Sequence, residues 1–230
     1  MTIADQIHQI RQIIQLNAQK SGRNPDHIRL MAVSKTHPVS AIQAAYESGI
    51  TDFGESYVSE AVEKVKSIQN QAITWHFIGP IQSNKTRSIA ENFRWVHSVD
   101  RPKIAQRLSA QRPSHLPALQ ICVQVNFFDE AQKKGVSKDA LLDLLGFVDQ
   151  QPNTVLRGLM VIPPPQSEYS KQLEQFVQVA ETYHKLQNQF PSMDTLSMGM
   201  SNDIEAAIAA GSNMIRIGTA IFGPRGNNHL

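Results

Sequence analysis

The sequence predicts an α/β protein, a single (β/α)8 barrel of the TIM type spanning residues 1–230. Three observations carry this expectation. Strand-like and helix-like segments alternate almost from end to end, and eight of the strand-like kind can be marked. GxGxxG and the P-loop pattern are both absent, which disfavours the flat doubly wound sheets built around those turns. No long proline- or glycine-rich linker and no low-complexity tract divides the chain.

The elements follow in order. Ile3, Ile7, Ile10 and Ile14 recur at helical spacing and predict an amphipathic opening helix. Leu30-Met31-Ala32-Val33-Ser34-Lys35 is an apolar run of strand length, bounded by Pro38. A helix from about Val39 stops at Gly49. Thr51 to Gly54 reads as a strand, and a polar helix runs from Tyr57 to about Ser67. Trp75 to Ile78 is a third strand, with a helix after Ser83. Trp95 to Val99 is a fourth, and Asp100 is placed to cap the next helix. Leu119 to Val125 precedes a helix from about Lys138 to Gln150. Leu156 to Ile162 leads through Pro163-Pro164-Pro165 to a long helix across Tyr169 to Gln189. Thr195 to Met198 is a seventh strand. An alanine-rich helix ends at Gly211, and Met214 to Gly218 is the eighth strand.

Composition excludes several classes. The net charge of +2 and pI of about 8.7 are too mild to argue for nucleic acid or an anionic membrane as partner. Lys133-Lys134 with Lys138 is the densest basic spot, and reads as solvated surface or as a secondary anion site. The single cysteine, Cys122, cannot form an internal disulfide and suits a reducing compartment; its apolar surroundings make it a small buried hydrophobe. The N-terminus shows no secretory signal, and no apolar run reaches membrane-spanning length. The expectation is a cytoplasmic protein. HExxH, CxxC and GxSxG are all absent, so neither a metal site nor a nucleophile elbow is expected.

In a barrel, chemistry sits at the C-terminal strand ends. Those ends supply Lys35, Glu55-Ser56, Ile78-Gly79, Asn126, Met160, Ser201 and Gly218-Thr219. A lysine in apolar surroundings loses hydration, which frees its amine to act as a Schiff-base nucleophile. Alternatively, Lys35 reaches solvent with its stem lying over the rim. Ser201-Asn202-Asp203 precedes the alanine-rich helix, and Asn202 to Glu205 has capping-box spacing. With Gly218-Thr219 after the eighth strand, these residues suit a phosphate at a helix N-terminus, or else form a plain cap and a plain turn.

The strings LMAVSKTHP around Lys35, DFGESYVSEAVEK from Asp52, WHFIGPIQSNK from Trp75, GLMVIP from Gly158 and LSMGMSNDIEAAIAAGSNMIRIGTAIFG from Leu196 resemble a known family. It is that of the pyridoxal phosphate homeostasis proteins, fold type III barrels related to the N-terminal domain of bacterial alanine racemases. The resemblance implies that Lys35 forms an internal aldimine with pyridoxal 5′-phosphate. It implies that Ser201, Gly218 and Thr219 hold the phosphate and that Arg216 faces the pyridine nitrogen. Ser56, His76 and Met160 are placed near the cofactor. His76 and His97 also read as hydrogen-bonded histidines within the barrel layers. A permanently charged arginine at the ring nitrogen disfavours the pyridinium and weakens the electron sink.

The chain departs from the family's pattern at Ser56, where asparagine is usual, and at Phe127-Phe128, which makes that rim more apolar. Pro163-Pro164-Pro165 is richer in proline than usual, and the tail Gly226–Leu230 carries no recognisable signal. Three functions follow as alternatives: a carrier or buffer of pyridoxal phosphate without turnover, a small racemase-like enzyme, and an aldolase-like barrel. Two-base racemisation needs groups on both faces of a carbanion, and only Lys35 is evident. The aldolase reading needs a carboxylate or second lysine beside Lys35, and no motif marks one. The expected protein is a non-catalytic carrier, a monomer, with apo-enzymes of pyridoxal phosphate as recipients and a role in vitamin B6 and amino-acid homeostasis.

Overall fold

The computed structural model describes residues 1–224. The tail Gly226–Leu230 lies outside the described residues. Eight parallel strands close into a barrel in chain order. They are β1 (Arg29–Val33), β2 (Asp52–Glu55), β3 (Thr74–Phe77), β4 (Trp95–Val99), β5 (Leu119–Val125), β6 (Thr154–Val161), β7 (Thr195–Ser197) and β8 (Met214–Ile217). Closure comes from β8 pairing back onto β1, with Met31 opposite Arg216 and Ala32 opposite Ile217. The helices are α1 (Ile3–Lys20), α2 (Val39–Glu47), α3 (Val58–Ser67), α4 (Thr86–Asn92), α5 (Pro102–Gln111), α6 (Lys138–Asp149), α7 (Tyr169–Gln187), α8 (Ile204–Ala209) and α9 (Thr219–Phe222).

Strand periodicity divides the core in two. One set of side chains, including Ala32, Phe53, Phe77, Val96, Ile121, Leu159 and Ile217, packs outward under the helices. The other set fills the barrel. Trp95, Cys122 and Met160 form a separate interior cluster, with Ile162 packed against it. Helix α1 buries Ile7, Ile10 and Ile14 and is started by a capping box between Thr2 and Asp5. Gly49 follows α2 at φ 84°, the left-handed conformation that a helix stop favours.

Several local expectations are corrected. Lys35 lies in the turn after β1, because the ladder ends one residue earlier, where the Ser34 amide donates to Gly54. Asp100 pairs with Arg101 at 2.5 Å, and Pro102 opens α5, so Asp100 is not its cap. The Asn202–Glu205 capping box does not form. Asp203 is the N-cap of α8, its carboxylate turns back to the Met200 amide, and Glu205 faces Lys20 at 3.5 Å. The helix after Ser83 begins as a 3-10 turn, Ser83–Lys85, before α4.

The ends of β2 and β3 meet at one glycine. A Cβ on Gly79 would lie 2.0 Å from the Ser56 carbonyl oxygen. The obstacle is backbone, so no rotamer change relieves it. Gly79→Ala should therefore cost roughly 3 kcal/mol or more in urea unfolding. A loss under about 1 kcal/mol would mean that the two strand ends can separate freely.

Candidate functional site

The strand order places the segments after β1, β2, β7 and β8 around one side of the C-terminal mouth. Gly218, just after β8, lies against the first strand: a Cβ there would approach the Val33 carbonyl oxygen to 3.3 Å. The imidazole of His37 stacks on Phe222 with centroids 5.0 Å apart, which ties the Lys35 turn to α9. Gly218 is the N-cap of α9 and Thr219 its first residue, exposed to solvent. Ser201 is half-buried in the β7–α8 turn, two residues beyond Gly199, whose carbonyl accepts from the Arg216 amide at 3.1 Å. Lys35, Ser201, Gly218 and Thr219 thus belong to neighbouring strand ends.

Arg216 sits lower, inside the barrel and 4% exposed. Its guanidinium donates to Ser197 Oγ at 2.9 Å and to the Val161 carbonyl at 3.1 Å. Burial pushes its pKa down to about 10, which leaves it cationic at neutral pH. Among the described residues no carboxylate pairs with it directly. A buried cation with neutral partners is costly, and it favours an electron-rich ligand atom beside it. Met160 is 1% exposed beneath the mouth, packed with Trp95 and Cys122. Cys122 is fully buried and its thiol is pushed up to about 12, so it is inert.

His76 takes the second of its two sequence readings, a hydrogen-bonded histidine within the barrel layers. It is wholly buried, and both ring nitrogens are engaged: Nε2 with Asp52 Oδ1 and Nδ1 with His97 Nε2, each at 2.9 Å. The Asp52 carboxylate must accept, so His76 carries its proton on Nε2. His76 Nδ1 then accepts from His97 Nε2, which leaves His97 Nδ1 a buried acceptor without a protein partner. Trp95 stacks on both imidazoles and is flanked by the Arg29 and Arg157 guanidinium groups.

The Lys35 turn is braced from behind by Glu55, Glu60 and Lys64, which lie in the DFGESYVSEAVEK string without a role assigned from sequence. Lys64 of α3 is 6% exposed and donates to the Ser34 carbonyl at 2.8 Å, to Glu55 at 2.8 Å and to Glu60 at 2.5 Å. Three ammonium donors meet three acceptors. Ser34 Oγ also donates to Glu55 at 2.7 Å, and the Thr36 amide donates to Glu60 at 2.7 Å. Thr36 adopts φ 67°, a conformation costing about 1–3 kcal/mol for a β-branched residue. A carboxylate and a second lysine therefore do lie beside the Lys35 turn, but Lys64 is saturated. The signal was Lys64 three residues after buried Ala61 with an acid four residues back.

The other rim residues differ from expectation. Phe127 is 5% exposed and belongs to the core, with Lys138 over its ring, so it does not make the rim apolar. The Lys133–Lys138 spot is dispersed. Lys133 pairs with Glu130 at 2.7 Å and donates to the carbonyls of Ile162 and Pro163. A cavity of about 290 Å³ opens there, bordered by Ile78, Asn126, Lys133 and Ile162. A larger one of about 450 Å³ lies at the opposite end, against Ile28, Thr51 and Asp52. That end reads as structural in a barrel, so the mouth is the candidate site.

The interior column has a pH consequence. Burial lowers the pKa of His76, and burial reinforced by His76 lowers that of His97 further. The unfolded chain takes up protons near pH 6.5 while the folded one resists, so stability is lost as pH falls below about 6.5. Glu55, raised by burial, works the other way: as pH falls through its raised folded value towards the ordinary 4.5, the folded state takes up a proton and gains stability. Urea unfolding between pH 7.5 and 6 should show this decline, and His97→Gln should make it shallower. An unchanged slope in the variant would remove His97 from the account.

Residues 7–226 match the family model for the alanine racemase N-terminal domain. The pyridoxal phosphate homeostasis protein of Vibrio alginolyticus is 52% identical over 228 residues, covering 97% of this chain and 98% of that one. The protein of the same name from Escherichia coli K12 is 50% identical over 226 residues, covering 97% of each. PipY of Synechococcus elongatus, solved with PLP bound, superposes with a TM-score of 0.85 at 35% identity, covering 96% of this chain and all of PipY. Alanine racemase of Corynebacterium glutamicum shares the fold at a TM-score of 0.66 and 16% identity, this chain spanning 62% of its length. The chain belongs to the alanine racemase N-terminal domain family and, within it, to the pyridoxal phosphate homeostasis proteins.

Proposed function

We propose that this protein binds pyridoxal 5′-phosphate and carries or buffers it in the cell. The observation that carries the reading is the full-length similarity to homeostasis proteins and to a PLP-bound relative, joined to a mouth that suits the cofactor. Gly218 caps α9 where its backbone packs closely against Val33, and the helix N-terminus that begins there suits a phosphate. The buried Arg216 cation suits the pyridine nitrogen, and the turn of Lys35 suits the aldehyde. Pyridoxal phosphate supplies an aldehyde conjugated to an electron-accepting ring.

The finer assignments are part of the proposal. Lys35 holds the cofactor covalently as an aldimine. Ser201, Thr219 and the Gly218 backbone bind the phosphate, and Ser56 and Met160 lie against the ring or its rim. One barrel domain, acting as a cytoplasmic monomer, is the functional unit, and apo-enzymes of pyridoxal phosphate are its recipients. Arg216 weakens the electron sink, and in this reading the protein acts by binding and release rather than turnover.

Two experiments test this. The purified protein should absorb in the visible, and borohydride should fix the cofactor to the peptide containing Lys35. Lys35→Ala should lose the band yet retain some cofactor through the phosphate contacts. Recovery of the label mainly on Lys133 or Lys134 would sink the assignment.

In a second assay, holo-protein is given amino acids and, separately, an apo-enzyme. Cofactor should pass to the apo-enzyme, with no significant racemisation or decarboxylation. Multiple turnovers of an amino acid, abolished in Lys35→Ala, would favour the racemase-like alternative.

A further inference from the structure

The turn that carries Lys35 is held at both flanks by one cluster. On the N-terminal side, the Ser34 amide donates to Gly54, its hydroxyl donates to Glu55, and its carbonyl accepts from Lys64. On the C-terminal side, the Thr36 amide donates to Glu60, and Thr36 is kept at φ 67°. Every one of these partners comes from residues 54–64, so β2 and α3 together fix the backbone on which Lys35 is mounted. Lys64 joins the two carboxylates into a single unit. Glu55 and Lys64 are buried between sheet and helix, whereas Glu60 is 31% exposed.

We propose that Glu60 and Lys64 are positioning residues for Lys35, holding the Thr36 turn so that the lysine amine faces its aldehyde. The proposal rests on the assignment of Lys35 as the covalent anchor. A side chain without a tight turn samples many directions, and misplacement by about 1 Å can slow a bond-forming step roughly 100-fold. The Thr36 backbone does not hold φ 67° unaided, since a β-branched residue avoids the left-handed region. Glu60 supplies the acceptor that selects it, and Lys64 fixes Glu60. Neither residue is required to touch the cofactor.

Glu60 is the residue to vary, because its partial exposure lets the protein tolerate truncation. The rate at which pyridoxal phosphate generates the visible band is measured for the parent, Glu60→Ala and Glu60→Gln. Binding of pyridoxine 5′-phosphate, which has the phosphate but no aldehyde, is measured in parallel. Glu60→Ala should slow band formation about 10-fold or more while its pyridoxine 5′-phosphate affinity stays within about two-fold of the parent. Glu60→Gln keeps an oxygen for the Thr36 amide and should restore most of the rate. Band formation at the parental rate in Glu60→Ala would overturn the proposal. So would an equal loss of pyridoxine 5′-phosphate binding, which indicates general damage to the mouth. A parent that forms no visible band at all would overturn the covalent reading itself, and this inference with it.

Discussion

Closure of the sheet between β1 and β8 is the constraint on which the rest of the structure depends. Before closure, the Lys35 turn and the Gly218-Thr219 turn are the ends of an open ribbon. After it, Met31 stands opposite Arg216 and the Val33 carbonyl lies against Gly218. Lys20, Arg23 and Arg29 reinforce the seam through Glu205, the carbonyls of Ile208 and Ser212, and Thr195 Oγ1. The site is therefore a product of topology: no local segment contains it, and only a closed ring makes its parts neighbours.

The barrel interior is polar to a degree that an apolar core would not need. Asp52, His76 and His97 form a hydrogen-bonded column, with Trp95 stacked on both imidazoles. Two imidazoles sharing a hydrogen bond at 2.9 Å cannot both be charged, and burial favours the neutral form of each. Its tautomers are fixed by the one carboxylate at its foot. Arg216 and Met160 share the interior with that column, Arg216 held by Ser197 and the Val161 carbonyl and Met160 packed with Trp95 and Cys122.

The strands were legible because most are apolar runs of β-sheet length, and the structure finds every one within two residues of the sequence expectation, β4 and β5 coinciding with it. Short elements were not legible: Pro25–His27 and α9 are too short for a helical period to repeat. Caps failed at Asp100 and Asn202 because tertiary partners decided which acceptor faced which amide. Alternation says which strand residues face inward but not what they bond to there, which is why the Asp52–His76–His97 column was not visible in the sequence. The Glu55–Lys64–Glu60 cluster was hidden for a related reason. An i,i+4 acid–lysine pair ordinarily lies on a solvated face, and only packing reveals that this one is turned inward.

The seam has a consequence for the order in which the protein comes into being. Arg23 and its acceptor Ile208 lie 185 positions apart, so the contacts that close the ring are among the most non-local in the fold. A ribosome releases the Lys35 segment long before β8 and the Gly218-Thr219 turn emerge. The mouth that unites them exists only once β8 has docked on β1. Under the proposed function, cofactor loading therefore follows closure of the ring rather than the early stages of synthesis.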